Sequence, residues 1–340
     1  MAATRGGDQL TRWNGVPALV TGAQGFVGSW LAERLLDEGA RVVTLLRDVE
    51  PDSRFNADGI ADRCVLVRAE LTDYDAITRA LNEHGIRAVF HLAAQTIVGT
   101  ANRSPLSTFE TNIRGTYTLL EACRGLGVVS DRVEQIVVAS SDKAYGRHEQ
   151  LPYREDFPLQ PLYPYDVSKA ATDMIARSYA ATYEMPVAVT RLANIYGGGD
   201  PNRSRIIPDT ILALQHGKRP VIRSDGSPER DYLYVEDAVD AYLAIAASLD
   251  ERENWGRAWN AGTGEPVSVR DVVERLIRIA GADVEPDVQG DGTPHGEIDR
   301  QFLDSSAIKR DLGWHPRWSL DDGLAATWRW YAEAGSRQRR

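Results

Sequence analysis

The stretch Thr21-Gly22-Ala23-Gln24-Gly25-Phe26-Val27-Gly28 decides the architecture of this chain. It follows an apolar run, Pro17 to Thr21, and leads into an amphipathic one, Val27 to Asp37, so its three glycines sit where a strand turns into a helix. Glycines there let the backbone approach an anion at the positive end of the helix, as the pyrophosphate of a dinucleotide requires. The Gly-x-x-Gly-x-x-Gly spacing departs from the Gly-x-Gly-x-x-Gly fingerprint, and its meaning comes from the strand before it and the helix after it. Gly22, Gly25, Phe26, Val27 and Gly28 are therefore the first cofactor-binding candidates.

Outward from this turn, apolar runs recur at Arg41 to Leu46, Cys64 to Arg68, Ala88 to Leu92, Gln135 to Ala139 and Val187 to Leu192. Helical patterns separate them at Asp75 to Asn82, Phe109 to Arg124 and Ser168 to Tyr183. β-branched runs spaced by helices predict an α/β fold, a Rossmann-type doubly wound parallel sheet with right-handed crossovers. After Gly197-Gly198-Gly199 the rhythm breaks, and a smaller α/β substrate-binding lobe is expected to begin. Val235 to Ala247 reads as a helix and Ala258 to Ala261 as a strand that returns to extend the first sheet. The expected division is 16–195 plus about 235–265 for the dinucleotide domain, and about 196–234 plus 266–335 for the second lobe.

Residues at the strand ends fill in the cofactor site. Asp48 lies 20 residues beyond Gly28, where a carboxylate commonly receives ribose hydroxyls. Its neighbour Arg47 can hold a 2′-phosphate or stack on adenine, so NAD is expected with NADP left open. Glu70 and Leu71 suit the adenine edge, although Glu70 also reads as an exposed strand-end charge. Leu92, Ala93, Ala94 and Gln95 are small enough at the start to let backbone pass beneath a cofactor, and Ala139 ends the fifth strand at the same edge. His91 reads as a packed, hydrogen-bonded residue, and Asn112 either braces the nearby backbone or bridges water.

Ser140-Ser141-Asp142-Lys143, with Tyr165 and Lys169 in Tyr-Asp-Val-Ser-Lys, carries the chemistry. A tyrosine four residues before a lysine lies on the same helical face, so the ammonium is expected to lower the phenol pKa and hold a ribose. Asp142 and Lys143 add acid-base capacity beyond what alcohol oxidation needs. Their plainer reading is an ion pair at a strand end.

Thr21 to Gly28, the Tyr165 and Lys169 pair, and Arg191-Leu192-Ala193-Asn194-Ile195-Tyr196-Gly197 resemble the extended short-chain dehydrogenase/reductase superfamily of nucleotide-sugar enzymes. Trp13-Asn14-Gly15, Gly28-Ser29-Trp30-Leu31, Ser141-Asp142-Lys143, Ile206-Ile207-Pro208-Asp209 and Leu312 to Leu320 are more similar to CDP-glucose 4,6-dehydratases than to epimerases. Two departures stand out. Ser141 replaces a threonine, and Arg230-Asp231-Tyr232-Leu233-Tyr234-Val235 follows the general superfamily instead of the Arg-Pro-Trp-Gln segment of that type.

The resemblance implies a nucleoside-diphosphate hexose substrate, a tightly held NAD, and a 4,6-dehydratase reaction. Tyr165, Lys169 and Ser141 would oxidise C4, Lys143 would act as the C5 base, and Asp142 as the acid for the departing hydroxyl. A 4-epimerase or a uronic-acid decarboxylase using the same Tyr165 and Lys169 is the alternative. Asn194 and Arg230 suit the diphosphate, with Arg203, Arg205 and Arg223 flanking the cleft and Arg205 ranked last. Family position places His295 and Arg300 near the nucleotide.

The formal charge of −10 over 340 residues leaves no basic stripe for nucleic acid. Apolar runs are strand-sized, well short of the ~20 residues that cross a bilayer, and the polar Met1 to Asn14 does not read as a signal peptide. A cytoplasmic location is expected. Cys64 and Cys123 lack metal or disulfide spacing and read as buried small hydrophobes. Ala170, Ala171, Met174, Ala180 and Tyr183 give the Tyr165 helix a second apolar face, which predicts a homodimer. The arginine-rich tail Ser336 to Arg340 is expected to be frayed and solvated.

Overall fold

A computed structural model describes residues 12–126, 133–292 and 298–337. His295, the first eleven residues and the end of the tail lie outside the described residues. In chain order the strands are β1 (Pro17–Thr21), β2 (Arg41–Leu46), β3 (Val65–Arg68), β4 (Ala88–His91), β5 (Gln135–Ala139), β6 (Val187–Leu192), β7 (Asn194–Tyr196), β8 (Val221–Ile222), β9 (Glu229–Tyr234), β10 (Ala258–Ala261), β11 (Pro266–Ser268), β12 (Asp287–Val288) and β13 (Arg300–Gln301).

One sheet takes seven of them in the order β10-β6-β5-β4-β1-β2-β3. Every pairing in it is parallel. The continuous apolar runs follow from burial on both faces. Ala18 and Val20 of β1 enter one core with Phe90 and Val137, while Leu19 enters the other with Val43, Val89 and Ile136. Each of the larger side chains among them contributes about 1.5–3 kcal/mol. β3 lies at the edge and alternates between half-buried and exposed residues.

Strand order reverses at β1 and β4, which opens a crevice at their carboxyl ends. The helix Phe26–Asp37 starts there after β1, and the segment Leu92 to Gln95 leaves β4 beside it.

The short strands form two further sheets. β9 pairs with β7 and β13 in parallel and with β11 antiparallel, while β12 pairs with β8. Asp231 of β9 holds this sheet to the loop after β10. Its carboxylate accepts from the Thr263 amide at 2.9 Å, the Thr263 hydroxyl at 2.6 Å and the Gly264 amide at 3.1 Å.

Two expectations need correction. The single helix expected over Phe109 to Arg124 is three segments: Pro105–Phe109, a π-turn at Glu110–Arg114, and Gly115–Leu126. The wider turn carries Asn112, whose carbonyl accepts from the hydroxyls of Thr116 and Thr172. Cys64 is only partly buried, because it precedes the edge strand; Cys123 is buried as expected. On the Tyr165 helix, Ala170 and Ala180 are buried but Met174 is 61% and Tyr183 47% exposed, with Tyr117 alongside at 42%. Among the described residues no helix is long and apolar enough to cross a membrane, and no cluster of three potential metal ligands occurs.

Candidate active site

The glycine turn is closed by backbone contacts that only glycine permits. Gly22 has φ +77°, and a Cβ there would lie 2.8 Å from the Ala93 amide nitrogen. A Cβ on Gly28 would lie 2.1 Å from the Gly22 carbonyl oxygen. Gly25 begins the helix without a side-chain cap, and no acidic residue occupies the first turn. Uncapped amides and an unopposed helix dipole fit a pyrophosphate. Phe26 itself turns into the aromatic cluster of Tyr196 and Tyr234, so its contribution to such a site is backbone.

His91 stitches the floor of the crevice together. Ala93 donates to Thr21 Oγ1 at 3.1 Å, and that hydroxyl lies 2.8 Å from His91 Nδ1. On the far side His91 Nε2 lies 3.0 Å from Thr116 Oγ1, whose proton goes to the Asn112 carbonyl at 2.5 Å. With that proton committed, Nε2 must be the donor and Nδ1 the acceptor. Burial, reinforced by the charge of Lys169, lowers the imidazole pKa to about 3. The ring is a neutral structural bridge. Asn112 braces the next residues: its Oδ1 accepts from the Gln95 amide at 2.7 Å, and its Nδ2 donates to the Gln95 carbonyl at 3.0 Å and to Ser168 Oγ at 2.9 Å.

The catalytic candidates converge where β5 ends against the helix Pro164–Tyr183. Lys169 is buried and donates to the Ala139 carbonyl at 2.8 Å; desolvation lowers its pKa to about 8. Ser141 caps the short turn Asp142–Tyr145, accepting from the Lys143 amide at 3.3 Å and donating to Asp142 Oδ1 at 2.9 Å. Ser141 also acts on the Tyr165 phenol, opposing the rise in its pKa. Asp142 is only 2% exposed, and its Oδ2 has no partner. Desolvation raises the carboxyl pKa, with Lys143 and Ser141 opposing. That favours the protonated acid.

The phenol departs from expectation. Burial raises the Tyr165 pKa, and the opposing charge is Arg205, while Asp142 and Asp166 push it further up. Desolvation is the largest cause, and Lys169, whose ammonium donates to the Ala139 carbonyl, is not among the groups that act most on the phenol. A phenolate at this position needs further positive charge beside it.

The sequence family described as GDP-mannose 4,6 dehydratase matches residues 19–327. The chain belongs to this family. Its fold and motifs place it in the extended short-chain dehydrogenase/reductase superfamily of nucleotide-sugar enzymes. A CDP-glucose 4,6-dehydratase of Salmonella typhimurium is 29% identical over 333 residues, covering 94% of this chain and 91% of that one. A UDP-glucose 4-epimerase from Thermotoga maritima, solved with UDP-glucose, superposes with TM-score 0.84 at 29% identity, covering 94% and 99%. A dTDP-glucose 4,6-dehydratase from Streptomyces venezuelae, solved with NAD, gives 0.83 at 30% identity, covering 94% and 97%.

Within this dehydratase-family frame, the remaining candidates are scattered. Arg47 and Asp48 are both exposed and paired with each other at 2.6 Å, and Gln24 donates to the Asp48 carbonyl, also at 2.6 Å. Leu71 packs on Gly115, where a Cβ would lie 2.4 Å from its Cδ2, and Glu70 is exposed at the β3 end. Asn194 keeps a buried Nδ2 without a partner. Arg230 is buried, donates to the carbonyls of Glu229 at 2.9 Å and Asp299 at 3.3 Å, and bears electrostatically on Asp142. Arg203 is exposed, Arg223 pairs with Asp209 at 2.9 Å, and Arg300 pairs with Glu229 at 2.5 Å. Arg205, ranked last from sequence, is the arginine that acts on Tyr165; it also pairs with Asp200 at 3.1 Å.

Two features escaped the sequence. Asp166, the residue after the tyrosine, is buried beside Asp142 and Lys143, and desolvation raises its pKa to about 6 against the pull of Lys143. Arg191 supports the Asp142–Tyr145 turn from behind, donating to Asp173 at 2.7 and 3.0 Å and to the Tyr145 hydroxyl at 2.8 Å. Tyr145 donates onward to Asn260 at 2.7 Å. An arginine inside an apolar β6 was the one available signal for this brace.

Proposed function

We propose that this protein is an NAD-dependent nucleoside-diphosphate-hexose 4,6-dehydratase. One observation carries the reading: Asp142, a buried carboxyl with an unpartnered Oδ2 and a raised pKa, stands next to Lys143 and accepts a hydrogen bond from Ser141, which also acts on Tyr165. Oxidation or epimerisation at C4 requires no such acid.

NAD, when bound, would supply the hydride acceptor for C4 and the hydride donor for C6. The glycine turn would hold its pyrophosphate and Lys169 its ribose. Tyr165 would remove the proton of the 4-hydroxyl, its phenolate favoured by the cations brought to it, with Ser141 fixing the reacting oxygen. A ketone at C4 acidifies the C5 hydrogen. Lys143 would then take that proton while Asp142 gives its own to the departing 6-hydroxyl, so that water leaves and a C5–C6 double bond forms. Reduction at C6 and return of the proton at C5 give a 4-keto-6-deoxy sugar. Asn194, whose buried Nδ2 has no hydrogen-bond partner, and the buried Arg230 would receive the nucleotide diphosphate.

The test is Lys143→Ala. It is expected to keep reduction of the bound nicotinamide by the sugar while water loss falls by roughly 10²-fold or more. A variant that dehydrates at the parental rate removes Lys143 as the base.

A 4-epimerase is the second reading, favoured by the close superposition on the UDP-glucose enzyme. The redox half of the site serves it unchanged. We also propose that two copies pair through the exposed face of Tyr117, Met174 and Tyr183. Light scattering after size exclusion is expected to give twice the chain mass, and Met174→Arg to give one chain; a monomeric parent would contradict this.

A further inference from the structure

Gln24 stands between Gly22 and Gly25 of the glycine turn, and its side chain leaves that turn for the loop after β2. Its Nε2 donates to the Asp48 carbonyl at 2.6 Å, while its Oε1 accepts from the Glu50 amide at 2.9 Å and from Asn56 Nδ2 at 3.0 Å. A backbone carbonyl only accepts and a backbone amide only donates, so both ends of the Gln24 carboxamide are committed and its orientation is fixed. Asn56 closes the loop from the other side, donating to the Glu50 carbonyl at 2.7 Å and to Ser53 Oγ at 3.2 Å. The residues before it anchor it to the domain: Phe55 lies in the core, and Arg54 pairs with Glu33 and stacks on the Trp30 ring at 4.1 Å. Between β2 and these anchors, Arg47 to Asp52 are all exposed.

We infer that Gln24 is a positioning residue for cofactor choice: by fixing the backbone at Asp48 and Glu50 it sets the Asp48 carboxylate, and not the Arg47 guanidinium, against the adenosine ribose, and so selects NAD over NADP. The inference concerns the cofactor alone and holds for a dehydratase or an epimerase.

Arg47 and Asp48 are consecutive residues with opposite preferences. A carboxylate accepts from the ribose hydroxyls of NAD and repels the 2′-phosphate of NADP, whereas a guanidinium attracts that phosphate. The two side chains pair through Arg47 Nε and Asp48 Oδ2 at 2.6 Å, each more than half exposed, so the pair by itself does not decide which of them faces the nucleotide. The backbone path decides it. Gln24 ties that path to the turn that would hold the pyrophosphate, which makes one unit of the two halves of the cofactor site. Glu50 and Asp52 add further carboxylates to the same loop, which also disfavours an extra phosphate. Few side chains could replace the glutamine: glutamate lacks the donor for the Asp48 carbonyl, asparagine is one methylene short, and methionine has the length with no N–H.

The experiment dialyses the purified parent, Gln24→Met, Asn56→Ala and the double variant against equal concentrations of NAD and NADP until the bound ratio is constant, then measures both cofactors by chromatography of the extract. The ratio reads selectivity without turnover. The parent is expected to hold NAD in excess. Gln24→Met is expected to lower the bound NAD-to-NADP ratio by roughly tenfold, and Asn56→Ala by a smaller factor in the same direction. Both act through one loop, so the double variant is expected to match Gln24→Met alone. Asn56 lies outside the glycine turn, and Asn56→Ala decides the matter if circular dichroism shows Gln24→Met to be misfolded.

A ratio that stays at the parental value while total occupancy falls is the mark of a merely structural residue and would overturn the inference. Losses that multiply in the double variant, or a parent that takes NADP as readily as NAD, would overturn it too. Each of these results leaves the proposed reaction standing, and a parent that releases no water from any hexose leaves this ratio unchanged.

Discussion

Lys169 donates its ammonium hydrogen to the carbonyl of Ala139, 2.8 Å away, and Ser140 Oγ returns a hydrogen bond to the Lys169 carbonyl at 3.1 Å. The helix carrying Tyr165 is therefore fastened to the strand that delivers Ser141, Asp142 and Lys143. Redox pair and acid-base pair are held as one unit, so a displacement of either moves both.

Lys169→Met is expected to break this coupling. The variant keeps much of the side-chain volume but loses the charge and the donor, and nicotinamide reduction by the sugar should fall by about 10²-fold or more. Stopped-flow absorbance measures it.

His91 offers a test of the electrostatics. Its folded pKa, about 3, lies below the unfolded value of 6.5. Between those values the unfolded chain binds the extra proton, so this residue makes stability fall as the pH drops from 6.5 toward 3. NMR of labelled histidine should find the ring neutral through pH 5; titration near pH 6.5 would contradict the bridge with Thr21 and Thr116.

Gly28→Ala places a methyl group 2.1 Å from the Gly22 carbonyl oxygen. The turn must open, at a cost of about 1–3 kcal/mol, and the backbone cradle is lost. The purified variant is expected to carry little or no nicotinamide by chromatography of its extract.

Arg191→Leu leaves the Asp173 carboxylate, which is 0% exposed, with only the longer 3.7 Å ion pair to Arg177. Breaking one side of a buried pair costs about 3–5 kcal/mol, whereas replacing both partners costs far less. Denaturant titration should show a large loss for the single variant and substantial recovery in Arg191→Leu/Asp173→Leu.

The parallel sheet was legible because its strands are buried on both faces, and continuous apolar runs such as Gln135 to Ala139 declare that. The smaller sheets were not. β8, β12 and β13 are two residues each and exist through pairing with distant segments, which leaves no local period to read. Tyr165, Lys169 and the Asp142-Lys143 step were visible as spacing and residue type. The arginines were not separable, since whether a guanidinium faces Tyr165, as Arg205 does, or a neighbouring Glu229, as Arg300 does, depends on loop paths. Asp166 was passed over as an intervening residue because its importance lies in what the 142–145 turn places against it.

Mass spectrometry of products from a panel of nucleoside-diphosphate hexoses tests the central claim most directly. The account predicts that at least one substrate yields a product lighter by one water, with the bound NAD returned to its oxidised form. A product of unchanged mass and altered configuration at C4, or one lighter by carbon dioxide, with no water lost from any hexose tested, would contradict it.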